Sequence, residues 1–211
     1  MLYSELQCSD AIHKAVERMG FAEMTEIQEK TIPVMMAGYD VIAKAPTGTG
    51  KTCAFGIPVA EHILPENKYP QAVIMAPTRE LAQQIAQELE ELTYFMPEVQ
   101  VACVYGGANM EKQAKRLAEG CQIVVATPGR LMDHYKHHSI DISHVTQIVL
   151  DEADEMLNMG FYKDVRHIIE MMKARKSLSM FSATISREVM DIGWLYQHNA
   201  EEITVQPKEE S

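Results

Sequence analysis

Seven short apolar, β-prone runs punctuate the chain, and several segments between them repeat their apolar positions every three or four residues. The runs are Val41 to Ala43, Ala72 to Ala76, Val99 to Tyr105, Ile123 to Ala126, Ile148 to Leu150, Leu178 to Ser182 and Ile203 to Val205, each of strand length. Between the second and third, within Glu80 to Phe95, Leu81, Ile85, Leu89 and Leu92 mark one buried helical face. Ile12, Ala15, Val16 and Met19 do the same behind Ser9, a residue type suited to capping a helix. Strand alternating with helix predicts an α/β fold: a doubly wound, mainly parallel sheet of about seven strands, with right-handed crossovers and helices on both faces. No internal repeat or low-complexity stretch interrupts the alternation. Residues 1–205 are expected to form one domain, and the polar end, 206–211, a linker or tail.

Chemistry concentrates where these runs end. Ala45-Pro46-Thr47-Gly48-Thr49-Gly50-Lys51-Thr52 follows the first run and opens a helix, which is the turn a phosphate-binding loop requires. Gly48 and Gly50 let successive N–H groups face inward as an anion nest at the positive end of that helix. Lys51 can then reach the β and γ phosphates of a nucleotide, and the Thr52 hydroxyl can serve Mg²⁺. The first position is Ala45, where the pattern has glycine. Asp151-Glu152-Ala153-Asp154 follows the fifth run. Ligands of open α/β sheets gather at the carboxyl ends of the strands, so Asp151 should face the same crevice as Lys51 and Thr52. It is the expected Mg²⁺ partner, through water, with Glu152 placed to orient and deprotonate an attacking water. Ser182 and Thr184, leaving the sixth run, can hydrogen-bond Asp154 and sense the γ-phosphate; capping the next helix is the plainer alternative.

These residues resemble the first RecA-like domain of a DEAD-box RNA helicase, and the resemblance spans nearly the whole chain. Beside the P-loop and the Asp-Glu-Ala-Asp turn it includes Pro77-Thr78-Arg79-Glu80-Leu81-Ala82, Gly106-Gly107, Thr127-Pro128-Gly129-Arg130 and Ser182-Ala183-Thr184. Gly20-Phe21 with Thr25 and Gln28 is similar to the Q motif, expected over about residues 3–28. Its glutamine reads the adenine edge, which implies ATP over GTP. Where that motif commonly has two prolines, this chain has Met24 and Glu26, and the upstream ring that stacks on adenine would be Tyr3. The resemblance implies an ATP hydrolase and RNA helicase with ATP and Mg²⁺ as cofactors. Pro77, Thr78, Arg79, Gly106, Gly107, Thr127, Gly129 and Arg130 would line a sugar-phosphate path that positions RNA without reading its sequence. It also implies a second RecA-like domain, absent from this chain, that brings arginine fingers to the γ-phosphate. The piece alone is then expected to be monomeric and to turn over slowly.

Composition modifies this picture in one respect. The formal net charge of −11 runs against RNA binding, which usually draws its affinity from phosphate neutralisation. Glu88, Glu90 and Glu91 and the acidic end from Glu201 to Glu210 are read as solvated faces, which leaves helix N-termini near Arg79 and Arg130 to meet phosphate. Lys112, Lys115 and Arg116 are read as a solvated helix face, and His134, His137 and His138 as a polar helix end. The four cysteines lack C-x-x-C spacing and are expected to be free thiols in a reducing compartment. With no run of membrane-spanning length and no signal-peptide pattern, a cytoplasmic protein is expected. A non-catalytic RNA or protein-binding adaptor and another P-loop ATPase or kinase are the alternatives.

Overall fold

The structure, a computed structural model, describes residues 1–48 and 50–207; Thr49 and most of the expected linker lie outside the described residues. All seven expected strands form: β1 Val41–Lys44, β2 Ala72–Met75, β3 Val101–Val104, β4 Ile123–Ala126, β5 Gln147–Asp151, β6 Ser177–Ser182 and β7 Glu201–Thr204. They make one sheet in the order β3-β4-β2-β5-β6-β1-β7, and every pairing is parallel. Nine α-helices accompany them among the described residues: α1 Asp10–Arg18, α2 Glu26–Met36, α3 Lys51–Glu61, α4 Arg79–Leu92, α5 Met110–Ala118, α6 Pro128–Lys136, α7 Ala153–Met156, α8 Tyr162–Met171 and α9 Arg187–Tyr196.

Alternation along the strands divides the core in two. On β2, Ala72 and Ile74 face the layer containing Ile12, Ile27, Phe55 and Ile85, from α1 to α4. Val73 and Met75 face the layer containing Leu117, Leu131, Ile168 and Ile192, from α5, α6, α8 and α9. This is why the central strands read as unbroken apolar runs, since both sides of the pleat are covered. The helix starts follow ordinary capping chemistry: Ser9 Oγ accepts the amide of Ile12, as expected from sequence, and Ser186 Oγ that of Val189.

Strand boundaries differ from the sequence expectation where hydrophobicity misleads. β5 gains Gln147 and Asp151, both buried because each side chain has a partner: Val59 carbonyl for the amide and Lys51 for the carboxylate. β7 starts at Glu201 because it is an edge strand, pairing only with β1, and its two glutamates remain in water. β3 begins two residues later than expected, since Val99 closes a turn onto the Met96 carbonyl. Among the described residues no helix is long and apolar enough to cross a membrane.

Two measurements check the core. Phe55 is fully buried against Phe181, ring centroids 5.3 Å apart, and ties α3 to β6; Phe55→Ala should cost about 3–5 kcal/mol in denaturant unfolding, with the slope unchanged. All four cysteines are free. Burial pushes the thiols of Cys8, Cys103 and Cys121 up to about 11 and that of Cys53 to about 12. A raised thiol pKa leaves little thiolate at neutral pH, so iodoacetamide should label the native chain slowly and the unfolded chain at all four positions quickly.

Candidate nucleotide and RNA site

The loop after β1 is shaped by its glycines. Gly48 and Gly50 have φ of +81° and +78°, a region costly for other residues. A side chain at Gly50 would also collide with Gln28, whose Nε2 would lie 2.7 Å from its Cβ. Gly50 precedes α3, so Lys51 is the first helical residue and Thr52 the second. Lys51 Nζ lies 3.2 Å from Asp151 Oδ1, with both side chains buried. β6 lies between β1 and β5, so this ion pair bridges the end of an intervening strand. Burial raises the Asp151 carboxyl while Lys51 and the amide of Glu152 hold it down.

The turn after β5 stores strain at Glu152, with φ +48° and ψ +50°. Burial and the neighbouring Glu155 carboxyl push the Glu152 carboxyl up to about 7. Asp154 Oδ2 accepts both the amide (3.1 Å) and the hydroxyl (2.8 Å) of Thr184. Ser182 uses its hydroxyl differently, accepting the amide of Asp154 at 3.0 Å and donating to the Thr184 carbonyl at 2.6 Å. Burial opposes ionisation of Asp154, but these donors hold its carboxyl below the usual range. Neither hydroxyl caps α9, a task Ser186 performs.

The Q-motif residues form a hydrogen-bonded set that reaches the loop after β1. Thr25 caps α2 and forms a reciprocal box with Gln28: Thr25 Oγ1 accepts the Gln28 amide at 3.4 Å, and Gln28 Oε1 accepts the Thr25 amide at 2.9 Å. Gln28 Oε1 also accepts the Tyr3 hydroxyl, and Nε2 donates to the Gly50 carbonyl at 3.2 Å. The ring of Tyr3 lies inside this set. Tyr3 is only 3% exposed and acts as a strut for Gln28, whereas Phe21, stacked on it at 6.3 Å, is 42% exposed. The amide oxygen of Gln28 already has two donors, so in this conformation one N–H of Nε2 is the part left for a base.

The other motifs gather over β2, β4 and β3, at the far end of the same edge. Pro77 is buried, and Thr78 caps α4 through the amide of Leu81. Arg79 is exposed, with its guanidinium 4.7 Å from the centroid of Tyr105, next to Gly106. Gly107 has φ +83°, and its Cβ position lies 3.8 Å from Arg79 Nη1. Thr127 starts α6 without a side-chain cap and is followed by Pro128 at the first turn. Arg130 donates to the carbonyl of Ala108 and to Gln113 Oε1. Gly129 is not forced by sterics; a Cβ there would make ordinary 3.8 Å contact with Phe161.

Four contributors escaped the sequence analysis. Gln113 joins Arg130, the Tyr105 carbonyl and His134, so it clamps the Gly106-Gly107 turn to α6. His134 is therefore no polar helix end: it is fully buried, and burial lowers its pKa. Glu88 is half-buried rather than solvated, and burial, with Glu91 nearby, raises its carboxyl beside the Thr52 hydroxyl and Asp151. Tyr105 gives Arg79 its ring. A helical spacing from Ile85 to Glu88 was the available signal for Glu88; nothing local announces Gln113. Arg116 bonds Gly120 and Gln100, on the opposite edge from Gly107.

Known proteins resemble this chain in sequence and fold. The family model described as DEAD/DEAH box helicase matches residues 25–192. The ATP-dependent RNA helicase CshA of Limosilactobacillus reuteri is 46% identical over 99% of this chain, which spans 42% of that protein's length. A crystal structure of a DEAD box protein from Methanococcus jannaschii superposes with a TM-score of 0.90 at 39% identity, covering 98% of this chain and 56% of that one. A hypothetical ATP-dependent RNA helicase from Sulfolobus tokodaii gives 0.86 at 39% identity over 93% of this chain and 57% of that one. Matched over most of its length by the family model and by these relatives, the chain belongs to the DEAD/DEAH box helicase family.

Proposed function

We propose that this chain is the ATP-binding half of an RNA helicase, coupling Mg-ATP hydrolysis to local opening of RNA duplexes or remodelling of RNA–protein complexes. The observation that carries this reading is the contact set joining three motifs at one sheet edge: Lys51 with Asp151, and Asp154 with Ser182 and Thr184. Lys51 exchanges the Asp151 carboxylate for β and γ phosphate oxygens when nucleotide enters. Thr52 and the released Asp151 offer hard oxygen donors of the kind Mg²⁺ takes, so these residues fit that ion and would hold it, Asp151 through water. Bound there, Mg²⁺ supplies charge neutralisation at the phosphates. Glu152, its carboxyl near 7, is suited to accept a proton from the attacking water. Phe21 offers an exposed ring face to the base, and the free N–H of Gln28 a donor.

The second half of the site would come from another RecA-like domain, a reading supported by relatives more than twice as long. Pro77, Thr78, Arg79, Gly106, Gly107, Thr127, Gly129 and Arg130 form the proposed RNA path, with free amides at the start of α6 as phosphate donors. Cytoplasmic location, monomeric state and a domain over residues 1–205 belong to the same proposal.

Binding of a fluorescent ATP analogue tests the nucleotide part: Lys51→Ala should weaken it at least about tenfold, the scale of one charged contact. A wild-type chain that binds RNA but no nucleotide would instead be an adaptor. For the RNA part, Arg79→Ala should weaken unrelated single-stranded RNAs by a similar factor and lower the salt slope by about 1. A loss confined to one RNA sequence would contradict backbone-only contact.

A further inference from the structure

The edge of the sheet opposite the loops that leave the strands carries a cleft with a volume of about 480 Å³. It lies where the chain enters β1, β2, β5 and β6, and uses none of the residues assigned above. Its walls are mainly apolar: Met35 and Leu64, with Tyr39, and Tyr69 stacked on His144 at 3.9 Å between ring centroids. Tyr39 is 61% and Leu64 53% exposed, unusual for large apolar side chains at the mouth of a cleft.

One rim is basic. Lys176 lines this cleft and also a smaller one of about 160 Å³ beside it, where Lys173 and Arg175 join it. Arg175 is bound to the carbonyls of Ile169 and Met172. Lys173 and Lys176 are exposed, and among the described residues neither forms an ion pair. Three cations in four residues form a local positive rim on a chain whose net charge is −11.

The polar groups inside discriminate between occupants. Gln71 spends its amide on Leu64 and Asn67, Gln147 donates to Val59, Ser179 accepts from Val41, and His62 meets two carbonyls. These inner polar groups are already satisfied by the protein, so an apolar side chain placed against them forfeits nothing. We propose that this cleft docks an acidic peptide segment of a partner protein, one large apolar side chain seated between Tyr39, Leu64 and Tyr69 and flanking carboxylates paired with Lys173 and Lys176. This adds a protein-recruitment surface on the face turned away from ATP and RNA, and it does not depend on the proposed function.

A random-peptide display library selected against this chain, with the Leu64→Glu variant as counter-selection, tests it. Enriched peptides should pair acidic residues with a large apolar one. Made synthetically, they should bind at least about tenfold more weakly to Leu64→Glu and to the Lys173→Gln/Lys176→Gln double variant, and more weakly as salt rises. The variants should keep wild-type affinity for the ATP analogue, which establishes that they fold. No enrichment, enriched peptides without that pattern, or binding indifferent to both variants would overturn the proposal. So would loss of short single-stranded RNA binding in the same variants, which would assign the cleft to nucleic acid.

Discussion

A sheet whose strands all run one way sends every loop that leaves a strand to the same edge, and this constraint places the chemistry. The loops after β1, β5 and β6 supply Lys51, Asp151 to Asp154, and Ser182 to Thr184, while those after β2, β3 and β4 supply Arg79, Gly106 and Arg130. Strand order then sorts them along that edge, with the carboxylates and lysine at β5-β6-β1 and the arginines at β3-β4-β2. One edge thus carries the Lys51–Asp151 pair and the Asp154 cluster beside Arg79 and Arg130, on a chain whose net charge is −11.

Within that frame, the buried pair of Lys51 and Asp151 decides the character of the nucleotide-free state. Leaving either charge buried alone would cost about 3–5 kcal/mol, whereas the pair itself contributes little net stability. The two groups therefore hold each other in the nucleotide-free structure. A similar restraint acts from the other side of the loop, where Tyr3 fixes Gln28 and Gln28 holds the Gly50 carbonyl. Residues at the start of the chain thus reach the loop after β1 through two hydrogen bonds.

Much of this was legible in the sequence because it is local. Apolar runs mark the strands, and the lysine, carboxylates and hydroxyls at their exits come together as the sheet topology requires. Long-range pairing was not legible. The types of Tyr3 and Gln28 can be read from the sequence, but their burial and the hydrogen bonds that join them to each other and to Gly50, each more than twenty residues apart, cannot. Glu88 and His134 were taken as solvated because their own neighbours are polar, whereas their environment is set by α3 and by Gln113. Strand ends at Gln147 and Asp151 were missed for the same reason, since a buried polar side chain is betrayed only by its partner.

The central claim is that the edge holding Lys51, Asp151, Glu152 and Thr184 is one half of a hydrolytic site. Steady-state ATP hydrolysis by this chain, with and without single-stranded RNA and beside a longer protein made by joining it to the remaining part of a full-length relative, tests that claim most directly. The account predicts slow, RNA-indifferent turnover by the chain and RNA-stimulated turnover by the longer protein, faster by a factor on the order of 10³ or more if an arginine finger is what the second half adds. Rapid hydrolysis by this chain alone, unchanged by RNA, would contradict it and make the site complete as it stands.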